Sequence, residues 1–328
     1  MLEIVFLPDT ATTFRDEMHC PTQTAPLPAF GRPVKPCVAG ASPRLSARNT
    51  ARFFSRYTLN IPMPTKLEEI VAATRRSIAT SKAAADLRAL REAAERHQPR
   101  GFRAALKKKS TASAAVIAEL KKASPSKGLI RADFPVAELA TELEAAGATA
   151  LSVLTDEHYF QGSLQNLEIA SSGTQLPCLR KDFIVDDFQI LQARAYGADA
   201  ILLIVAALSD EELTSLRSRA GELQLDVLCE VHDGEEMWRA VDAGFDLIGV
   251  NNRNLHSFQV DLNTSLQLAS RMPAGVLKVA ESGIETRDDI AKLRQAGFDA
   301  FLIGESLMRA PRPGEALREL LTQSAVAG

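Results

Sequence analysis

From Ala115 onward, short apolar runs alternate with longer segments of helical periodicity. Parallel βαβ units require this order. The runs predict strands over Ala115–Glu119, Ala150–Leu154, Leu176–Lys181, Ala200–Val205, Asp226–Glu230, Leu247–Val250, Leu277–Glu281 and Ala300–Ile303. An internal echo supports them: EAAGATALSVL, RAYGADAILLI, VDAGFDLIGV and RQAGFDAFLIG each set a glycine (Gly147, Gly197, Gly244, Gly297) just before a strand. These glycines recur roughly every fifty residues, one per two βα units, as in a repeated architecture. Each ends a helix, because glycine enters the left-handed conformation without a Cβ penalty. Eight strand–helix units predict an α/β fold, a closed (β/α)8 TIM barrel, with an open doubly wound sheet as the competing arrangement.

Upstream, PTKLEEIVAATRRSIA carries Leu67, Ile70 and Val71 at helical spacing, Ser81 to Arg96 continues helical, and Phe102 to Lys109 forms a short basic amphipathic segment. Helices placed before a first strand close one end of a core or lie over a site. Residues 1–62 differ: prolines are frequent, periodicity is absent, and no acidic residue falls between Glu17 and Glu68. They read as a disordered or non-native extension. Its Arg and Ser content matches a transit peptide, but a start codon assigned too far upstream is the favoured reading, with Met63 as the natural beginning. The expected catalytic domain is 63–328, its helical extension running to about 112.

With 46% apolar residues among 328, the chain can bury a sizeable core. A net charge of −3 gives no electrostatic case for nucleic acid or anionic membrane. Cys20, Cys37, Cys178 and Cys229 show no C-x-x-C spacing, and no apolar run approaches a membrane span. A cytoplasmic protein acting through a pocket is expected, with a small-molecule partner, no nucleic acid, no membrane, and a monomer as the simplest state.

Active sites of this barrel stand at the C-terminal strand ends, and there the sequence changes character. Strand one ends in Glu119 and Lys121, which strand alternation sends to one face; strand three ends at Lys181 and strand five at Glu230. Strand six runs into Asn251 and Arg253, and strand seven into Glu281, Ser282 and Gly283. Singly, each could be a solvated strand end or a cap; around one mouth they indicate acid–base chemistry. After strands seven and eight, Ser282, Gly283, Gly304 and Glu305 offer backbone N–H groups as a phosphate cradle. Glu305 would serve there through its backbone alone, its carboxylate repelling the ligand. Tyr159, Phe160 and Phe183 follow strand ends and, facing the mouth, would form an apolar slot. His158, His232 and His256 do not recur with Cys, Asp or Glu at metal-ligand spacing, so no metal is expected. Triad, P-loop and dinucleotide signatures are missing, and no cofactor is expected.

Taken in order, AELKKASPSKG, LRKDFIVDDFQI, CEVHD, IGVNNRNL, VAESGI and FLIGESLM resemble indole-3-glycerol phosphate synthase, over nearly everything from Met63 onward. The resemblance implies a barrel with extra helices over its mouth that acts in tryptophan biosynthesis without cofactor or metal. It implies conversion of 1-(2-carboxyphenylamino)-1-deoxyribulose 5-phosphate to indole-3-glycerol phosphate, carbon dioxide and water. On this resemblance Lys181 is the general acid, and Lys121 holds the substrate carboxylate and serves the dehydration. Glu230 and Glu119 are the catalytic carboxylates, Asn251 and Arg253 flank the reacting centre, and Glu281 and Ser282 complete it. Ser282, Gly283, Gly304 and Glu305 match the phosphate site. Phe160, Phe183, Leu202 and Leu255 match the anthranilate pocket. In the strand-one loop, Pro125 is expected to shape the cover over the ring and Ser124 to touch the ligand. Alternatives are another phosphosugar barrel such as phosphoribosylanthranilate isomerase, which would want a Cys on strand one, and a non-catalytic phosphosugar-binding barrel, which should have lost charged tips.

Overall fold

The structure, a computed structural model, describes residues 65–255 and 257–322. The extension expected over residues 1–62, together with Cys20, Cys37 and His256, lies outside the described residues.

Eight parallel strands form a closed barrel: β1 (Ala115–Leu120), β2 (Ala150–Leu154), β3 (Cys178–Lys181), β4 (Ala200–Ile204), β5 (Asp226–Val231), β6 (Leu247–Asn251), β7 (Leu277–Glu281) and β8 (Ala300–Ile303). Each pairs with the next, and β1 closes the ring on both sides, with Ile117 opposite Ala150 and Ala115 opposite Ala300. Closure rules out the open sheet and leaves no free edge.

Alternation divides the strand residues between two cores. Val116, Ala118 and Leu120 face the surrounding helices, whereas Ala115 and Ile117 pack inside the barrel with Leu179, Leu202, Leu228, Leu247, Leu277 and Val279. The first residues of β1, β2, β4 and β8 are all alanine and all inside. Their small side chains leave room for Phe102 and Leu106, both fully buried in this interior cluster. These two lie one turn apart on α3 (Phe102–Ser110), so α3 plugs the floor of the barrel, and Lys107, Lys108 and Lys109 occupy its last turn, where cations suit the helix dipole.

The other leading helices are α1 (Lys66–Ala84) and α2 (Leu87–Arg96). The continuous helix expected through Ser81–Arg96 is broken because Asp86 accepts the N–H groups of Arg88 and Ala89 and so begins α2. Arg194 donates to the carbonyls of Ala94 and His97, holding the end of α2 against the helix Asp187–Ala195. Next along the chain, Arg100 pairs at 2.6 Å with the fully buried Asp199, which also accepts the Cys178 N–H. Helix α1 starts in a capping box of Thr65 and Glu68 and is tied down by Arg75–Glu212 and Lys82–Asp186 pairs. Of the three leading helices, expected to close one end of the core or to lie over the site, α3 closes the floor and α1 alone reaches the mouth, through Lys66, Leu67 and Ile70.

One element escapes periodicity altogether. Ala123–Ser124 pairs antiparallel with Gly128–Leu129, making a small hairpin of the loop after β1.

Candidate active site

The strand ends surround a cavity of about 670 Å3, and every site residue expected from the sequence except Tyr159 lines it: Glu119, Lys121, Lys181, Glu230, Asn251, Arg253, Glu281, Ser282, Gly283, Gly304, Glu305, Ser124, Pro125, Phe160, Phe183, Leu202 and Leu255.

Three carboxylates and two lysines form its base. Glu119, Glu230 and Glu281 are each buried to 3% exposure or less. Lys181 Nζ, from β3, lies 2.7 Å from Glu230 Oε2 and 3.1 Å from Glu281 Oε2, bridging β5 and β7. Lys121 Nζ lies 2.7 Å from Glu119 Oε1 within the β1 end, and Ser152 Oγ donates to the other Glu119 oxygen at 3.4 Å. Two glycines make room for these carboxylates. A Cβ on Gly249 would stand 2.1 Å from Glu281 Oε1, and one on Gly304 would stand 2.5 Å from Glu119 Oε1. Gly304, expected as a turn for a phosphate cradle, is thus also required by the side chain beside it.

The electrostatics separate the two carboxylates that share Lys181. Burial works against the Lys181 charge, but Glu230, Glu281 and Glu119 outweigh it and hold the ammonium well above the ordinary lysine range. Burial likewise opposes the Glu230 charge, yet Lys181 and then His232 hold this carboxyl well below the usual range. Glu281 goes the other way: burial, helped by the Glu230 charge and resisted by Lys181, pushes it up to about 8. Its Oε1 is buried without a hydrogen-bond partner among the described residues. One lysine therefore stands between a fixed anion and a carboxyl able to keep its proton, the kind of divergence that separates acid from base roles.

The rim supplies the remaining chemistry. Asn251 Oδ1 accepts the Arg253 N–H at 3.0 Å, and the loop beyond folds back through an Arg253–Val260 bridge. Ser282 takes a left-handed φ of 64° and Gly283 one of 75°; a serine held there is strained, as functional backbones often are. The Glu305 carboxylate turns toward Arg309 at 3.1 Å, Arg253 at 3.5 Å and Lys127 at 3.6 Å. Ser124 Oγ is buried and unpartnered among the described residues. On the apolar side the rings of Phe160 and Phe183 lie 6.2 Å apart, tilted by 43°. Gly162 sets this loop, since a Cβ there would meet the Leu154 carbonyl oxygen at 2.2 Å. Tyr159 does not line the cavity; its ring receives the Lys66 ammonium at 5.2 Å. Among the described residues no group of three His, Cys, Asp or Glu could hold a metal ion, and no helix is long and apolar enough to cross a membrane.

Sequence reasoning passed over Lys66, Leu67, Ile70, Lys127, Phe258 and Val260, which also line the cavity, and His232, whose Nε2 lies 3.3 Å from Glu230 Oε1. A signal for His232 existed: E-x-H at a strand end sends both side chains to one face. The leading-helix residues gave none, because which end of a barrel a preceding helix covers is a property of the assembled fold.

A family model described as indole-3-glycerol phosphate synthase matches residues 67–320. The chain belongs to that family. It is 61% identical over 259 residues to the indole-3-glycerol phosphate synthase of Koribacter versatilis (strain Ellin345), a match spanning 79% of this chain and 100% of that one. The synthase of Albidiferax ferrireducens is 50% identical over 256 residues, 77% of this chain and 97% of its own. That of an Acinetobacter baumannii strain is 52% identical over 225 residues, 68% of this chain and 83% of its own. Indole-3-glycerol phosphate synthases are carbon–carbon lyases of the carboxy-lyase class in tryptophan biosynthesis, and the chain is an enzyme of that class acting on a phosphorylated small molecule. The isomerase and non-catalytic alternatives fall away.

Proposed function

We propose that the mouth residues divide the synthase reaction, ring closure with decarboxylation and then dehydration of 1-(2-carboxyphenylamino)-1-deoxyribulose 5-phosphate, as follows. Lys181 is the general acid that protonates the ribulose carbonyl oxygen as the ring carbon attacks it. The observation that carries this reading is the placement of Lys181 Nζ between Glu230 and Glu281 at the cavity base, which keeps the ammonium charged until a substrate oxygen takes its proton. Lys121, beside Glu119 at the end of β1, binds the substrate carboxylate and serves the dehydration, with Glu119 stabilising its charge. Glu230 is the base, and Glu281 holds a proton at the same lysine. Asn251 and Arg253 flank the reacting carbons.

The phosphate is received by the backbone of Ser282, Gly283, Gly304 and Glu305, with Ser124 closing from the hairpin; its unpartnered buried hydroxyl supports that role. The anthranilate ring lies against Phe160, Phe183, Leu202 and Leu255, under Pro125. An apolar slot and a polar rim on opposite sides of a lysine–carboxylate base suit a substrate with a ring at one end and a phosphate at the other.

Lys181→Ala is expected to lower turnover by about a hundredfold to ten-thousandfold, the contribution of a positioned general acid, while leaving the circular dichroism spectrum unchanged. The assay follows indole absorption on adding the carboxyphenylamino-ribulose phosphate; near-normal product formation by the variant sinks the assignment. The same reading takes residues 63–328 as the catalytic unit of a cytoplasmic monomer, with residues 1–62 outside it. The boundary near residue 63 is supported by the family match beginning at residue 67 and by the Koribacter relative being matched over its whole length within this chain.

A further inference from the structure

His232 stands one residue beyond β5 and two beyond Glu230, and it is not among the residues lining the cavity. Its side chain is 10% exposed. Nε2 lies 3.3 Å from Glu230 Oε1, an ion pair without the alignment of a hydrogen bond. Nδ1 lies 3.0 Å from Glu236 Oε2, the oxygen that also accepts the His232 backbone N–H at 2.8 Å. Glu236 is itself fixed in the first turn of the helix Gly234–Asp242, where Asp233 accepts the N–H groups of Glu235 and Glu236. On the far side of Glu230, Lys181 from β3 takes Oε2, and Glu281 from β7 follows. The result is a row of groups in which acid and base alternate: Glu236, His232, Glu230, Lys181, Glu281.

We propose that His232 is a positioning residue for the reaction: its imidazolium holds Glu230 Oε1 from outside the cavity, so that Oε2 stays anionic and directed at Lys181 while the lysine gives up its proton. The inference rests on the reading of Lys181 and Glu230 as an acid–base pair. Its physical basis is the moment after Lys181 has given its proton to the substrate oxygen. The lysine is then neutral, and Glu230, 3% exposed, would be a buried anion without a counter-charge, a state that costs enough to pull the proton back. A cation on the other carboxylate oxygen removes that pull. Burial works against the His232 charge, but Glu230 and Glu236 outweigh it and raise the ring to about 10, so the imidazolium persists across the neutral range. Because His232 does not line the cavity, the role predicts an effect on turnover and not on substrate affinity.

The test is a kinetic cycle on the full chain with His232→Gln, Glu230→Gln and the double variant, using the carboxyphenylamino-ribulose phosphate. His232→Gln is expected to lower kcat by about tenfold to a hundredfold, the range for a displaced catalytic group, with KM within about twofold. The acid limb of its pH profile should move to higher pH, because losing the cation raises the Glu230 carboxyl. In the Glu230→Gln background the same change should cost nothing further, since two residues acting as a unit are not additive. A His232→Gln kcat within twofold of the parent, or an equal loss with and without Glu230, overturns the inference. If His232→Gln does not fold, Glu236→Gln, which loosens the ring from the other side, is judged by the same criteria. Near-normal turnover by Glu230→Gln alone would instead overturn the acid–base reading, and the inference with it.

Discussion

At the scale of single residues, the site is governed by what each carboxylate touches. Glu281 is the informative one, because burial and the neighbouring Glu230 charge lift it to about 8 while Lys181 stands 3.1 Å away. Below that pH the carboxyl keeps its proton and Lys181 answers chiefly to Glu230. Above it, Glu281 becomes a second anion on the lysine, tightens the ammonium and makes it a poorer donor. The rate should therefore fall as pH rises through about 8. In Glu281→Gln that descending limb should vanish or move to higher pH, as kcat/KM followed over roughly pH 6 to 10 would reveal; an unchanged limb would assign the ionisation elsewhere. Sequence exposed the identities of these charged groups, because ionisable residues at the ends of apolar strands are conspicuous. It did not expose their environments. Gly249 is an example: a glycine inside a strand signals close approach of some neighbour, but only the barrel register brings Glu281 against it.

Elements tell a similar story at larger scale. The strands were legible because each is a short apolar run, four of them after a helix-ending glycine, and β2, β7 and β8 match the expected limits residue for residue. Two features were not. The break between α1 and α2 depends on a single capping aspartate inside an otherwise helical composition, and strands two residues long have no period to read. The floor helix α3 was legible as amphipathic, while its destination was set by the alanines at four strand starts. Phe102 is fully buried there, so Phe102→Ala should destabilise the fold by about 3–5 kcal/mol, as large-to-small changes of buried aromatics do. Urea unfolding would measure it. A loss below about 1 kcal/mol would mean that the barrel floor collapses to fill the space.

For the molecule as a whole, the family region and the described fold coincide, from the capping box of α1 to the helix Pro313–Leu321. A chain begun at Met63 is accordingly expected to elute as a monomer and to keep kcat/KM within about twofold of the full-length chain, a difference too small to signal a lost interaction with the transition state. Light scattering and the indole assay on the two proteins decide it, and a loss of tenfold or more would bring residues 1–62 into the working enzyme. The fold class, the ring of charged strand ends and the apolar slot are all properties of local pattern, which is why they were open to reading. The alternation of acid and base around Lys181 belongs to the closed ring, where residues far apart in the chain become neighbours.

The α3 plug has a consequence for traffic. With Phe102 and Leu106 filling the barrel floor, the lysine and its carboxylates open, among the described residues, onto the cavity lined by Pro125, Phe160 and the rim. A substrate seated there would stand between these groups and the rim. Protons would then pass among the groups already inside, and carbon dioxide, water and product would leave past the rim by which the substrate entered.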